Sequence, residues 1–256
     1  MACFQGSFRS LALGMDTHVN VIVPYDRYDE KGNPGKYDKV LYMLHGIKQN
    51  SDSWVRNSSI ERYANYYGYA VVMPEVQRSF YANMEMGLDY FTYITEELPR
   101  AVQGMFNVPQ GRENTYVGGL SMGGYGALKC ALSRPDIYAG AMCFSSGFYS
   151  GERPQALTRN YYTLGELQAV MGLDLKLKPE NDLDHLMRVY PKDMPKPKLY
   201  LACGTEDFLF ADNIRARDTL RSLGFELTWE QWEGIHDWKF WDVAAEHGMR
   251  IIAGME

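Results

Sequence analysis

Long apolar runs are missing from this chain of 256 residues. No stretch approaches the roughly eighteen consecutive apolar residues of a membrane-spanning helix. The start, Met1 to Ser10, lacks the basic segment followed by an apolar run that marks an export signal. Both absences lead us to expect a protein of the cytoplasm with no membrane partner. Clustered positive charge is missing too. The net charge is −6, and without grouped Lys and Arg nothing neutralises a phosphate backbone, which argues against nucleic acid. Cysteine is scarce. Cys3, Cys130, Cys143 and Cys203 show no paired spacing of the zinc or redox kind and fall mostly in apolar patterns. They are read as reduced core residues rather than disulfide partners. There is no His-Glu-x-x-His helix, no dense acidic ligand loop and no glycine loop ending in Lys-Ser/Thr, so neither a metal nor a cofactor is expected.

What is present suits a globular enzyme-sized domain. Hydrophobic residues make up 46% and charged residues 23%, ordinary proportions for a folded chain. Residues 1–256 are long enough for one α/β domain with a substantial core, and no repeat, low-complexity segment or linker divides them. Composition leaves a homo-oligomer open.

Periodicity gives the order of elements. His18 to Pro24 alternates like a strand, and Asp26 to Lys36 is rich in Asp, Gly, Asn and Pro, so an opening strand pair ending in a surface turn is expected. Val40 to Leu44 is a continuous apolar run, the pattern of a strand buried on both faces. A helix over about Ser59 to Tyr67, stopped by Gly68, precedes a second such run at Tyr69 to Pro74. Gly87 to Met105 has helical spacing, with Pro99 expected to kink or split it. Strands over Tyr138 to Phe144, Lys198 to Cys203 and Phe225 to Glu230 follow, with helices over Ala211 to Leu223 and Trp238 to Ile252. Between about 148 and 197 the alternation is interrupted by short helical patterns and a Pro-rich exit, which reads as a cap-like insertion over one end of the sheet. Alternating strands and helices imply a mostly parallel central sheet with helices on both faces, and in such sheets chemistry gathers at the carboxyl ends of the strands.

The stretch Asn114 to Leu132 organises the rest. It passes from strand formers (Thr115, Tyr116, Val117) through Gly119-Leu-Ser-Met-Gly123 into helix formers (Ala127, Leu128, Ala131, Leu132). A serine at the apex of a sharp strand-to-helix turn, flanked by glycines that remove side-chain clashes, is a nucleophile elbow. Two later strand ends complete a constellation. Gly204-Thr-Glu-Asp207 follows one, and Gly234-Ile-His-Asp-Trp238 follows the other. Ser121, then Asp207, then His236 is the chain order of an α/β-hydrolase triad. The serine needs an imidazole to take its proton, and the imidazole needs a carboxylate to hold its tautomer and balance its charge. Glu206 is the alternative acid; Asp237 fits a loop or helix cap better. His45 is the rival base, although a position after a strand and before glycine suits shaping a loop. His18, His185 and His247 read as surface residues. For the oxyanion the expected donors are the backbone N–H of Met122 and that of Ile47, with Gly46 as the alternative to Ile47.

On these residues the chain resembles the tributyrin-esterase branch of the esterase D family. These are α/β-hydrolases related to S-formylglutathione hydrolases, feruloyl esterases and antigen 85 mycolyltransferases. The marks are Val19-Asn-Val-Ile-Val-Pro24, Leu44-His-Gly46 with Trp54 downstream, Arg78-Ser-Phe-Tyr81, Glu97-Leu-Pro99, Gly119 to Ala127, Cys203-Gly-Thr-Glu-Asp-Phe208 and Gly234-Ile-His-Asp-Trp238. The resemblance implies Ser121, Asp207 and His236 as the triad, oxyanion donors from Ile47 and Met122, no cofactor, and hydrolysis of short acyl or arylacyl esters through an acyl-enzyme. A small-molecule ester is the expected partner, an acylated carbohydrate among the candidates. Thioester hydrolysis or acyl transfer is the alternative chemistry, and a hydrolase-like binding module the non-enzymatic one. Gly46, Trp54, Tyr125, Phe208 and Trp238 are the expected substrate-binding residues.

Overall fold

Short runs of β-branched and aromatic residues, each closed by glycine or a polar turn, form the strands of one sheet. The computed structural model describes residues 1–28, 37–148 and 162–254. Its strands are β1 (Ala2–Ser10), β2 (Met15–Val23), β3 (Lys39–Leu44), β4 (Tyr69–Pro74), β5 (Thr115–Leu120), β6 (Gly140–Phe144), β7 (Lys198–Gly204) and β8 (Leu227–Trp232). They lie in the order β1-β2-β4-β3-β5-β6-β7-β8. β1 with β2 and β2 with β4 are antiparallel, and all the remaining neighbours are parallel. The direction of winding reverses between β3 and β5. The register, with Leu44 opposite Gly119, sets the ends of those two strands side by side at the switch point, where ligands enter sheets of this kind.

Parallel neighbours require crossovers, and these are helical. The helices are α1 (Ser53–Asn57), α2 (Ile60–Tyr67), α3 (Tyr90–Thr92), α4 (Leu98–Phe106), α5 (Met122–Ser133), α6 (Leu164–Met171), α7 (Leu183–Arg188), α8 (Phe210–Ser222) and α9 (Trp238–Ile252). β3 shows why its apolar run is unbroken. Val40, Tyr42 and Leu44 face a core shared with Val102 of α4 and Leu128 of α5, while Leu41 and Met43 face a second core with Ile60 of α2 and Ala244 of α9. Among the described residues no helix is long and apolar enough to cross a membrane.

Several expectations are corrected. Pro99 does not break its helix. Tyr93–Glu97 form a π-helical turn, so that Pro99 falls in the first turn of α4, where a missing N–H costs little. The Thr95 carbonyl, which a residue other than proline would have bonded, is approached by Arg134 Nη1 at 3.5 Å. Cys3 lies exposed on β1, whereas Cys130, Cys143 and Cys203 are buried, and all four are free thiols. His18 sits on an interior strand, between β1 and β4, and its Nδ1 lies 2.9 Å from Ser51 Oγ. The polar stretch after His45 contains α1, which is too short to leave a periodic signal.

Residues 29–36 of the expected surface turn and 149–161 of the expected insertion lie outside the described residues. From Tyr162 onward the insertion is tied down by specific bonds. Thr163 and Glu166 form a reciprocal capping box at the start of α6, and the Asp182 carboxylate accepts from the N–H groups of Asp184 and His185 at the start of α7. α7 packs on α5. There Lys129, only 1% exposed, donates to Tyr81 O at 2.9 Å and Asn181 Oδ1 at 2.5 Å and lies 4.5 Å from the centre of the Phe91 ring. Its contacts are uncharged, so burial wins, pushing the ammonium from the ordinary 10.5 down to about 7 against the weaker opposing pull of Cys130 and Glu180.

The sign of the resulting pH dependence follows. Below about pH 7 both folded and unfolded chains hold this proton, and the cost of burying it is fully present. Above that value the folded chain releases the proton while the unfolded chain keeps it, so stability rises with pH, by up to about 1.4 kcal/mol per unit. Urea unfolding at intervals from pH 6 to 8.5 is expected to show this rise in the native protein, and a flatter slope over the same interval in Lys129→Met.

Candidate active site

The turn after β5 is built from close backbone approach. Ser121 has φ 55° and ψ −117°, a conformation that costs a residue with a side chain about 1–3 kcal/mol. It is held by main-chain bonds on both sides, from Ser121 N to Phe144 O at 2.9 Å and from Gly147 N to Ser121 O at 3.2 Å. A Cβ on Gly119 would overlap the Gly123 and Leu44 carbonyls, and one on Gly123 would overlap the carbonyls of Leu44 and His45. Both glycines are therefore required by contact with β3, not by local flexibility. Met122 is the first residue of α5, so its N–H has no partner within the helix and stands at the positive end of the helix dipole.

The loops after β7 and β8 are bonded into one unit. Thr205 N donates to Trp232 O, and Glu206 N to Gly234 O, each at 3.0 Å, while Gly204 leaves no room for a side chain against Gly234. On this base the Asp207 side chain is fully buried and His236 mostly so. Asp207 Oδ2 lies 2.8 Å from His236 Nδ1, and Oδ1 accepts from Leu209 N at 2.8 Å. A carboxylate only accepts, so Nδ1 carries the hydrogen and Nε2 is left as an acceptor. The neighbouring acids stand elsewhere. Glu206 is exposed, and Asp237 caps α9 through Phe240 N at 3.2 Å.

The strand order brings Ser121, Asp207 and His236 to the same carboxyl edge, although no hydrogen bond to the Ser121 hydroxyl is formed by the described residues. His45 is occupied differently. It is 1% exposed, and its Nε2 accepts from Val76 N at 3.2 Å, which puts the hydrogen on Nδ1, 2.8 Å from Gly46 O. Glu75 Oε1 is farther from Nε2, at 3.5 Å, and is taken by Gln77 N at 2.7 Å. With Nδ1 used in its own loop and Nε2 by the chain after β4, His45 is not available to Ser121. The Gly46 oxygen also accepts from Gln49 N at 3.1 Å, and a Cβ on Gly46 would strike Leu120 at 2.8 Å.

Of the expected substrate-binding residues, Gly46, Trp54 and Tyr125 are buried. Trp54 Nε1 donates to Leu44 O at 3.1 Å, and its ring meets that of Trp238 edge-on at 5.0 Å. The Tyr125 hydroxyl donates to Asn181 O at 2.6 Å. Trp54 and Tyr125 are thus each tied to a backbone carbonyl. Trp238 is partly exposed and Phe208 exposed, the latter with its ring centre 4.6 Å from that of His236.

A family model described as "Putative esterase" matches residues 10–247. The chain belongs to this esterase family. It is similar to an acetyl esterase of Caldicellulosiruptor saccharolyticus, 33% identical over 94% of each chain. Among solved structures it resembles the fluorophosphonate-binding serine hydrolase F of Staphylococcus aureus, 32% identical over 98% of each chain with a TM-score of 0.87. It also resembles the S-formylglutathione hydrolase of the same bacterium, 32% identical over 98% of each chain with a TM-score of 0.85. The architecture is that of an α/β-hydrolase.

Four residues that support the chain around Ser121 were not singled out from sequence. Tyr162 donates to Met122 Sδ at 3.4 Å, bringing the insertion to the elbow. Asn213 accepts from Ser146 N at 3.2 Å and donates to Ser146 O at 3.0 Å, fixing the chain beside Ser121. Lys129 and Asn181 join α5 to the insertion. For Lys129 a signal existed, since it is the one charge in a helix of Gly, Ala, Leu and Cys. The other three carry none.

If glycine at 123 answers contact with β3, Gly123→Ala is expected to destabilise by about 3 kcal/mol, within the range for overpacking. Gly6→Ala, where nothing lies within 4 Å, is expected to change stability by less than about 0.5 kcal/mol. Chemical denaturation of the two variants checks the contrast.

Proposed function

We propose that the protein is a serine carboxylesterase of the tributyrin-esterase branch, acting on short acyl or arylacyl esters through an acyl-enzyme. The observation that carries this reading is the buried Asp207 bonded at 2.8 Å to His236, on the same sheet edge as a serine held at φ 55°. Ser121 Oγ attacks the ester carbonyl carbon as its proton passes to His236 Nε2. The tetrahedral intermediate places its oxygen against the N–H groups of Met122 and Ile47. Peptide planarity supports Ile47 as donor: the Gly46 oxygen is drawn toward His45 and Gln49, so the Ile47 N–H in the same plane points the opposite way. Collapse breaks the bond to the alcohol oxygen, which leaves with the proton from His236. Water, giving its proton to His236, then adds to the acyl carbon; collapse breaks the bond to Ser121 Oγ, which takes the proton back from His236, and the acid departs.

We take residues 1–256 as one hydrolase domain and 148–197 as its cap, which sets acyl length. The resemblance to an S-formylglutathione hydrolase at 32% identity favours thioester hydrolysis as the second reading, with the same acyl-enzyme.

Hydrolysis of 4-nitrophenyl acetate, butyrate and octanoate tests the proposal. Turnover is expected to fall with chain length and to vanish in Ser121→Ala, together with labelling by a fluorophosphonate. Asp207→Asn is expected to lower kcat by on the order of 10³–10⁴-fold through loss of the required tautomer. Turnover by Ser121→Ala equal to the native rate would sink the reading. Comparing kcat/KM for an ester and a thioester with the same acyl group decides between the two leaving atoms.

A further inference from the structure

Resting on the acyl-enzyme reading, the position of the alcohol half of the substrate can be derived. His236 must hand its proton to the departing oxygen, so that oxygen stands within hydrogen-bonding reach of Nε2. The side chains around the imidazole then meet the alcohol. Asp207 holds Nδ1, and Trp241, 5% exposed, meets the ring edge-on at 4.8 Å; both are buried. Phe208 and Ile235 are different. They adjoin Asp207 and His236 in sequence and are 59% and 52% exposed, with the Phe208 ring tilted 51° to the imidazole at 4.6 Å.

Single exposed apolar residues are common on protein surfaces. Here one of them packs on the imidazole and the other precedes it in the chain, and the loops that carry them are locked together by the Thr205–Trp232 and Glu206–Gly234 bonds. A surface held this rigidly needs little ordering when a ligand settles on it. Its charge is one-sided. Residues 205–209 and 233–237 contain Glu206, Asp207, Glu233 and Asp237 and no Lys or Arg. Glu206 and Glu233 are both exposed, so a neutral alcohol is favoured over an anionic one.

We propose that Phe208 and Ile235 form a leaving-group platform that selects esters of neutral ring-bearing alcohols, aryl or sugar, whose flat face packs on the Phe208 ring. The platform acts only while the alcohol is attached. It therefore enters acylation and not the hydrolysis of the acyl-enzyme, which every ester of one acid shares.

The test holds the acyl group at acetyl and varies the alcohol: phenyl acetate, an acetylated methyl xyloside, ethyl acetate, and the 4-carboxylate and 4-carboxamide of phenyl acetate. In Phe208→Ala, kcat/KM for the phenyl or xyloside ester is expected to fall about tenfold relative to the change on ethyl acetate. A fall confined to one of the two ring classes names the natural alcohol. Phe208→Tyr keeps the preference, and Ile235→Ser reduces it in the same direction. The native enzyme is expected to favour the carboxamide over the carboxylate by several-fold, and kcat set by the shared acetyl-enzyme stays level in Phe208→Ala. An equal loss on all the alcohols, with kcat falling in step, overturns the proposal and makes Phe208 a brace for His236. Fluorophosphonate labelling of Ser121 separates the two levels: a labelled, active enzyme with no dependence on the alcohol fails only the platform, whereas absent labelling fails the esterase reading itself.

Discussion

How closely the start of α5 can approach the end of β3 governs the whole carboxyl edge. The Leu44 carbonyl is the point of contact. On one side it accepts from Trp54 Nε1, and on the other it leaves Gly119 and Gly123 no space for side chains. That approach forces Ser121 into a left-handed backbone conformation, and the strain of about 1–3 kcal/mol is offset by main-chain bonds to Phe144 and Gly147. The same approach brings the unpaired N–H groups at the head of α5 beside the 45–47 loop. A strained serine and unpaired N–H groups set beside the 45–47 loop are thus consequences of one packing constraint.

A second network connects that loop to the insertion. Asn181 accepts from Lys129 and Tyr125, Lys129 donates to the Tyr81 carbonyl, and the Tyr81 hydroxyl donates to His45 O at 2.7 Å. His45 in turn fixes Gly46. Bonds of this kind in a low-dielectric interior reinforce one another and tolerate no missing member. The cation in the middle is the weak term, because burial lowers its affinity for the proton. The base of the insertion and the loop after β3 therefore share one polar support, which runs behind the elbow rather than through it.

Much of this was legible because it rests on backbone requirements that dictate residue type. The triad order, the glycines around Ser121 and the stop at Gly68 each leave a local mark. Strands buried on both faces are equally plain, as Val40 to Leu44 shows. What could not be read was side-chain direction at long range. Trp54 and Tyr125 have the composition of a binding surface, and their burial and their bonds to the Leu44 and Asn181 carbonyls leave no mark in the sequence. Pro99 looks like a break because the π turn at Tyr93–Glu97 has no distinctive residue pattern. Cys3 looks like a core residue because strand alternation does not say that β1 lies at the edge of the sheet.

The two halves of an ester would meet physically unlike walls. On the alcohol side, β7 and β8 end in loops joined by main-chain bonds, with both Asp207 oxygens satisfied and no buried cation between them. On the proposed acyl side the wall would include Tyr162 against Met122 and rest on α6, held by main-chain bonds from Glu85 N to Val170 O and Met86 N to Ala169 O, and on α7, whose preceding turn is joined to α5 through Asn181 and Lys129. The bonds at the start of α7 are between side chains or from a side chain to a carbonyl, so substitution can alter them without disturbing the sheet. On the proposed reading the acyl side is for that reason more open to change by substitution around α7 than the alcohol side, whose loops are joined to each other by main-chain bonds at the strand ends.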